Sequence, residues 1–184
     1  MNWTRRAAVA ASLALMASLP MAGAAQASAA SLTADGQASL NKLLAQSTKA
    51  RLFAKNDVAV LVFPKILKAG FMIGAQTGDG VLLRHGRAIG FYNISAGSFG
   101  LQAGGQVFSY ALFFMNDKAL EYLKSSDGWS VGTGPSIVVI DKGKAMSNDT
   151  TTMTQDVYAF PYGAAGLMAG LGIQGSKITH IHPK

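Results

Sequence analysis

Cysteine is absent from all 184 residues, which excludes disulfides and a lipid-modified N-terminal cysteine as ways of holding or anchoring the protein. Acids are scarce: the nine Asp and Glu are scattered, and no two are spaced as a general acid and base. Histidine occurs only at 85, 180 and 182. His180-x-His182 can set two imidazoles on one strand face, but a metal site needs more ligands, and no carboxylate or third histidine is near in sequence. The pair therefore reads as a solvated tail, and no metal is expected. Gly78-Asp79-Gly80 lacks the Lys and Ser or Thr that a phosphate loop needs after it, and reads as a tight turn. Together these absences argue against an enzyme: no catalytic residue and no cofactor is expected.

What the chain does have begins with an export pattern over residues 1–27. Arg5 and Arg6 give a positive start, Ala7 to Leu19 an apolar stretch, and Ala25-Gln26-Ala27 a small-x-small cleavage site, with Ala22-Gly23-Ala24 as a second possible cut. Ala7, Ala8 and Val9 follow the arginine pair where a twin-arginine signal would carry bulky apolar residues, so ordinary secretion is the reading. A retained membrane anchor is the alternative. Residues 28–184 then suit one domain with a core of its own, undivided by any linker. Its expected location is the periplasm or cell envelope, with peripheral membrane association.

Glycine is abundant and ordered. In Gly70 to Gly78, Gly100 to Gln106 and Gly166 to Gln174, one parity is mostly glycine ending near glutamine, and the other is apolar or small. Strand side chains alternate, so each stretch has one nearly bare backbone face. Interior glycine costs roughly 0.5–1 kcal/mol against alanine, so something is expected to pack closely on those faces, either a helix or a second sheet.

Other elements follow from periodicity and turn chemistry. Leu32 to Lys55 reads as a helix with Thr33 as N-cap and Leu40, Leu43, Leu44 and Ser47 on one face. Asp57 to Phe63 reads as a buried strand ended by Pro64, with Lys65 to Ala69 a connector. Val81-Leu82-Leu83 and Ala88 to Phe91 flank a hairpin tip at Arg84-His85-Gly86-Arg87. Phe99 to Met115 continues as one or two strands. Asn116 caps a short helix, Asp117 to Lys124, with Leu120 and Leu123 inward. Strands follow near Val131 to Ile140, Val157 to Phe160 and Ile178 to Ile181. The uncharged runs Ala88 to Asn116 and Val157 to Ser176, with glycines four apart, also allow packed membrane helices. Asn93, Ser95, Gln102, Gln106, Ser109 and Gln174 within them argue for strands instead. The expected fold is α+β: a mainly antiparallel, strongly curved glycine-rich β-sheet packed with an N-terminal and a central helix.

Charge is unevenly spread. Between Ser28 and Gly90, Lys42, Lys49, Arg51, Lys55, Lys65, Lys68, Arg84 and Arg87 face only Asp35, Asp57 and Asp79. From Phe91 to Lys184, six lysines meet six acids. The excess in the first segment predicts a basic face towards an anionic partner.

Four runs, VFPKILKAGFMIGAQTGDGVLL (Val62 to Leu83), GSFGLQAGGQ (Gly97 to Gln106), GTGPSIVV (Gly132 to Val139) and YAFPYGAAGLMAGLGIQGSKI (Tyr158 to Ile178), together resemble the SYLF domain. Their order along the chain carries the resemblance, which no single glycine motif would. It implies a phosphoinositide- or phospholipid-binding module without catalysis, some fungal members of which also bind actin. The chain departs at Tyr92-Asn93-Ile94, where eukaryotic members often have Trp-Ser-Pro. In place of the amphipathic segment that precedes some members it has largely the export pattern. For an exported protein actin is not an expected partner, and phosphatidic acid, cardiolipin or phosphatidylglycerol fits better than a phosphoinositide.

The residues agree with that implication. Lys65-Ile66-Leu67-Lys68 sets two aliphatics between two cations, as shallow membrane insertion requires, with core residues as the alternative for Ile66 and Leu67. Arg84, His85 and Arg87 add phosphate donors at the hairpin tip. The expected partner is an anionic phospholipid membrane, with no nucleic acid. A structural or protein-interaction role in the envelope, with an envelope protein as partner, comes second, and a carrier of apolar ligands third.

Overall fold

The computed structural model describes residues 28–140, 153–163, 173 and 175–184, of which 71–73 and 98–104 are described by backbone alone. The expected export segment lies outside them, as does the third glycine stretch apart from the buried Ile173. Where one helix is expected there are two, α1 (Ala29–Gln46) and α2 (Thr48–Ala54). The N-cap is Ser28, whose Oγ accepts from the Ser31 N–H at 3.1 Å. Thr33 lies inside the helix and donates back to the Ala29 carbonyl at 2.7 Å. Ser47 breaks the helix because its side chain competes for backbone partners. Its N–H closes α1 on Leu43 O, and its Oγ caps α2 by accepting from the Ala50 N–H. Arg51 fixes this knee by donating to Leu44 O at 2.6 Å.

The dominant feature is one long antiparallel hairpin, β1 (Ala59–Arg84) with β2 (Arg87–Phe114). Its turn is the expected His85-Gly86, with φ of 49° and 76°, the mirror-image turn that suits a twisted ribbon. Pro64 does not end the strand, and Lys65 to Ala69 is no connector. The ladder slips between Phe63 and Ile66, which accommodates the missing N–H, and Ser109 Oγ donates to the Pro64 carbonyl at 2.8 Å. Gly78-Asp79-Gly80, expected as a turn, also lies within β1.

The first two glycine stretches pair with each other: Gly70 stands opposite Gly104, Met72 opposite Gly100 and Gly74 opposite Ser98. A second slip, between Gly70 and Met72, marks the middle of the ribbon. There the ribbon doubles back, bringing the second arm of β1 beside its first. A Cβ on Gly78 would lie 2.5 Å from the Lys65 carbonyl oxygen, and one on Gly80 would lie 2.7 Å from that of Val62. At these two positions the bare face therefore meets the other arm of its own strand, not a helix or second sheet.

After β2 come α3 (Asp117–Ser125), β3 (Trp129–Ser130), β4 (Ile137–Val139), β5 (Val157–Tyr162) and β6 (Lys177–Ile181). The single strand expected near 131–140 is thus split, because Trp129 Nε1 donates to Thr133 O and Thr133 N to Ser130 O, tying residues 129–133 into a turn. With each arm of the two long strands counted separately the curled sheet has eight strands; its hydrogen-bonded order is β3, β6, β2, β5, β4, with β1 paired along β2. All ladders are antiparallel except β4 with β5. The fold is α+β, as expected.

The inner face gathers Leu61, Phe63, Ile66, Leu82, Ile94, Phe108 and Tyr110 against Leu120 and Leu123 of α3 and Trp129. On the outer face Val60, Val62, Val81, Phe113 and Phe160 lie under Leu43 of α1 and Phe53 of α2, whose ring stacks on Tyr158 at 4.3 Å. Asn116 caps α3 as expected, accepting from the Ala119 N–H at 2.9 Å and donating to Asp156 at 2.8 Å. Asp156 also accepts from the Ser136 N–H and hydroxyl, and these bonds hold its carboxyl below the usual range. Among the described residues no helix is long and apolar enough to cross a membrane.

Candidate functional site

Strand alternation separates the two expected inserting residues. Ile66 stands opposite Phe108 and is fully buried in the inner core, so the expectation that it inserts is corrected. The slip at Pro64 is the cause, because it returns Ile66 to the inward row that Phe63 occupies. Leu67 points the other way and is 47% exposed. Its cross-strand partner is Val107, 45% exposed, so the two form one apolar pair on the outer side of the ribbon. Lys65 is exposed and Lys68 partly buried, one on each side of Leu67 along β1. From Val58 to Gly78 and from Gly80 to Asn116 there is no Asp or Glu. The one acid of the two arms is Asp79, next to the Gly78 that packs on Lys65, and its carboxylate accepts from Asn93 Nδ2 at 2.8 Å.

Arg84, His85 and Arg87 are all exposed at the ribbon tip. The tip is held in place: Gln37 Nε2 of α1 donates to Gly86 O at 2.8 Å, and Arg84 pairs with Asp117 at 3.4 Å. Arg87 stands directly opposite Arg84, and Ile89, 43% exposed, follows on the same strand. The structure does not bring tip and bend together. Lys65 lies level with Gly78, and from Gly78 to Arg84 the strand runs about 20 Å further, away from the bend.

The basic excess of residues 28–90 is likewise dispersed. Lys42 lies on α1, Lys49 and Arg51 on α2, and Lys55 at its C-cap, all in the helix layer over the outer core. The expected single basic face resolves into a helix layer, a bend and a tip. The bend alone combines two cations with a paired apolar contact.

Two further features concern chemistry. The His180 and His182 rings lie 4.5 Å apart, and Tyr92 meets His180 edge-on at 5.2 Å. No third metal-ligating side chain joins them among the described residues. Asp57, at the junction of α2 and β1, is pushed up to about 7 by desolvation. No sequence signal marks it, because its burial arises only when Phe53 and β1 pack. Val107 was equally invisible, since its parity fits a strand but its partner depends on the register across the doubled ribbon.

Residues 95–182 match the family model Ysc84, described as Las17-binding protein actin regulator. The match spans slightly under half of the chain and starts within β2, so it includes Val107 but none of Lys65, Leu67, Lys68, Arg84 or Arg87. No curated protein matches the chain.

Proposed function

We propose that this chain, whose residues 95–182 match the Ysc84 family model, is a non-catalytic module binding anionic phospholipid surfaces through the bend of its long hairpin. The observation that carries this reading is the half-exposed Leu67–Val107 pair flanked along β1 by Lys65 and Lys68. Burying the remaining half of each aliphatic contributes about 1 kcal/mol. Each lysine at an anionic surface adds about 1 kcal/mol. The sum, about 4 kcal/mol, corresponds to millimolar, reversible association. The lysine part of it weakens with salt. Phosphatidic acid, phosphatidylglycerol or cardiolipin headgroups fit a protein exported to the cell envelope, the location that the pattern of residues 1–27 supports.

The test is co-sedimentation of purified protein with vesicles of phosphatidylglycerol and phosphatidylcholine at low salt. Binding is expected, with loss on K65E/K68E and a tenfold to thirtyfold weakening on L67S/V107S, following from about 1 kcal/mol per residue. Protein that stays in the supernatant, or charge reversal without effect, refutes the reading. A structural or protein-interaction role in the envelope is the second reading, favoured by the family description, which names a protein-binding regulator. It predicts recovery of one partner protein and no binding to vesicles.

A further inference from the structure

His180 and His182 are fixed more firmly than their place near the end of the sequence suggests. His180 lies in β6 opposite Tyr92, and His182 follows just beyond the strand. Residues two apart along an extended chain share a face, and both side chains are exposed. The backbone is tied on either side of His182. Ile181 is laddered to Phe91, the Ala29 N–H at the start of α1 donates to Lys184 O at 3.2 Å, and Pro183 between them restricts the chain. Tyr92, buried in the inner core, meets the His180 ring edge-on at 5.2 Å and braces it. The Tyr92 ring can take that place because Gly90 is bare: a Cβ there would lie 3.1 Å from Tyr92 Cε2. Among the described residues β3 pairs with β6 only at Lys177 and Ile178, which leaves the far edge beside the two histidines open.

The spacing of the two rings carries chemical information. Their centres lie 4.5 Å apart, with the planes inclined at 66°. An imidazole nitrogen about 2.0–2.1 Å from a metal ion puts its ring centre about 3.2 Å from that ion. Two rings sharing one ion then have centres about 4.5 Å apart when they bind at a right angle, and about 5.2 Å apart at the tetrahedral angle. The observed separation matches the right angle, the angle between neighbouring positions of a tetragonal ion such as Cu2+ or Ni2+, and imidazole suits both. A closed structural site would need further protein ligands, and no third His, Cys, Asp or Glu joins the pair among the described residues. An open site has no such need, because water can complete the coordination.

We infer that His180 and His182 form a bidentate surface site for a divalent late transition ion, Cu2+ above all, at the open edge of β6. Sequence spacing supplied the two ligands; the structure adds their separation and the bonds that hold it. The site is separate from the bend and requires no membrane.

The experiment titrates Cu2+ into purified protein that carries no histidine tag, with calorimetry for stoichiometry and affinity and electron paramagnetic resonance to count the nitrogen donors. Wild type is expected to bind one Cu2+ per chain through two imidazole nitrogens. H180Q and H182Q are each expected to lose one donor and to weaken binding about tenfold or more, since even the loss of a group that only orients a ligand has an effect of that size. H85Q removes the remaining histidine, at the hairpin turn, and is expected to bind like wild type. Circular dichroism on each variant shows that the fold is kept. Absence of saturable Cu2+ binding by wild type overturns the site, as does a spectrum with a single nitrogen donor. So does affinity that survives H180Q or H182Q unchanged, or that falls as far on H85Q as on either of them.

Discussion

Replacing Gly78 or Gly80 by alanine tests whether the ribbon closes on itself as described. A Cβ on Gly78 would lie 2.5 Å from the Lys65 carbonyl oxygen and 2.9 Å from Ile66 Cγ1. One on Gly80 would lie 2.5 Å from Phe63 Cδ1 and 2.7 Å from the Val62 carbonyl oxygen. Neither neighbourhood yields easily, since Val62 is laddered to Ala111 and Phe63 and Ile66 are fully buried. Overpacking of this kind costs about 1–3 kcal/mol. Loss of glycine freedom in the unfolded chain offsets it by about 0.4–1 kcal/mol. The net loss is about 1–2 kcal/mol, which in a domain of this size lowers Tm by about 2–8 °C. Gly97 provides the control, because nothing lies within 4 Å of its added Cβ and only the unfolded-state gain remains. Thermal unfolding followed by circular dichroism should therefore rank G97A at or above wild type, and G78A and G80A below it. The doubled-back ribbon is refuted if G78A and G80A melt at or above wild type, or if G97A falls as far as they do.

Adjacent residues 66 and 67 should behave oppositely: I66A costs about 2–5 kcal/mol of stability through a core cavity, while L67S leaves the melting temperature nearly unchanged and weakens vesicle co-sedimentation. Asp57 carries a folded-state pKa raised to about 7 from 3.8. Its folded form thus keeps a proton that the unfolded chain releases, and the group's contribution to stability falls as pH rises from about 4 to 7. D57N is accordingly expected to exceed wild type by about 1–2 kcal/mol near pH 8, after allowance for screening, and to match it near pH 4 in urea unfolding. N116A removes both the α3 cap and a bond to Asp156. It should cost about 1 kcal/mol, and the depressed Asp156 carboxyl should move up towards its ordinary range in an NMR titration.

The sequence by itself determined the local grammar of this protein. Asn116 before Asp117 fixed a helix start, Arg84 to Arg87 fixed a hairpin tip, and the apolar run Val157 to Phe160 fixed a strand, because each depends on interactions within a few residues. The ordered glycine stretches also carried the family resemblance and the strongly curved antiparallel sheet, since bare strand faces have few other uses. Tertiary structure alone decided which side chains meet. The slip at Pro64 turned Ile66 into the core and left Leu67 outside, a one-residue change of facing that no local propensity encodes. Register across β1 and β2 chose Val107 as the partner of Leu67, and packing at the α2–β1 junction gave Asp57 its raised pKa. Charge counting along the chain placed Lys65 and Arg84 in one basic segment. The bend between Gly70 and Met72 brings Lys65 level with Gly78, but Arg84 lies six residues further along the second arm, so the two cations do not meet.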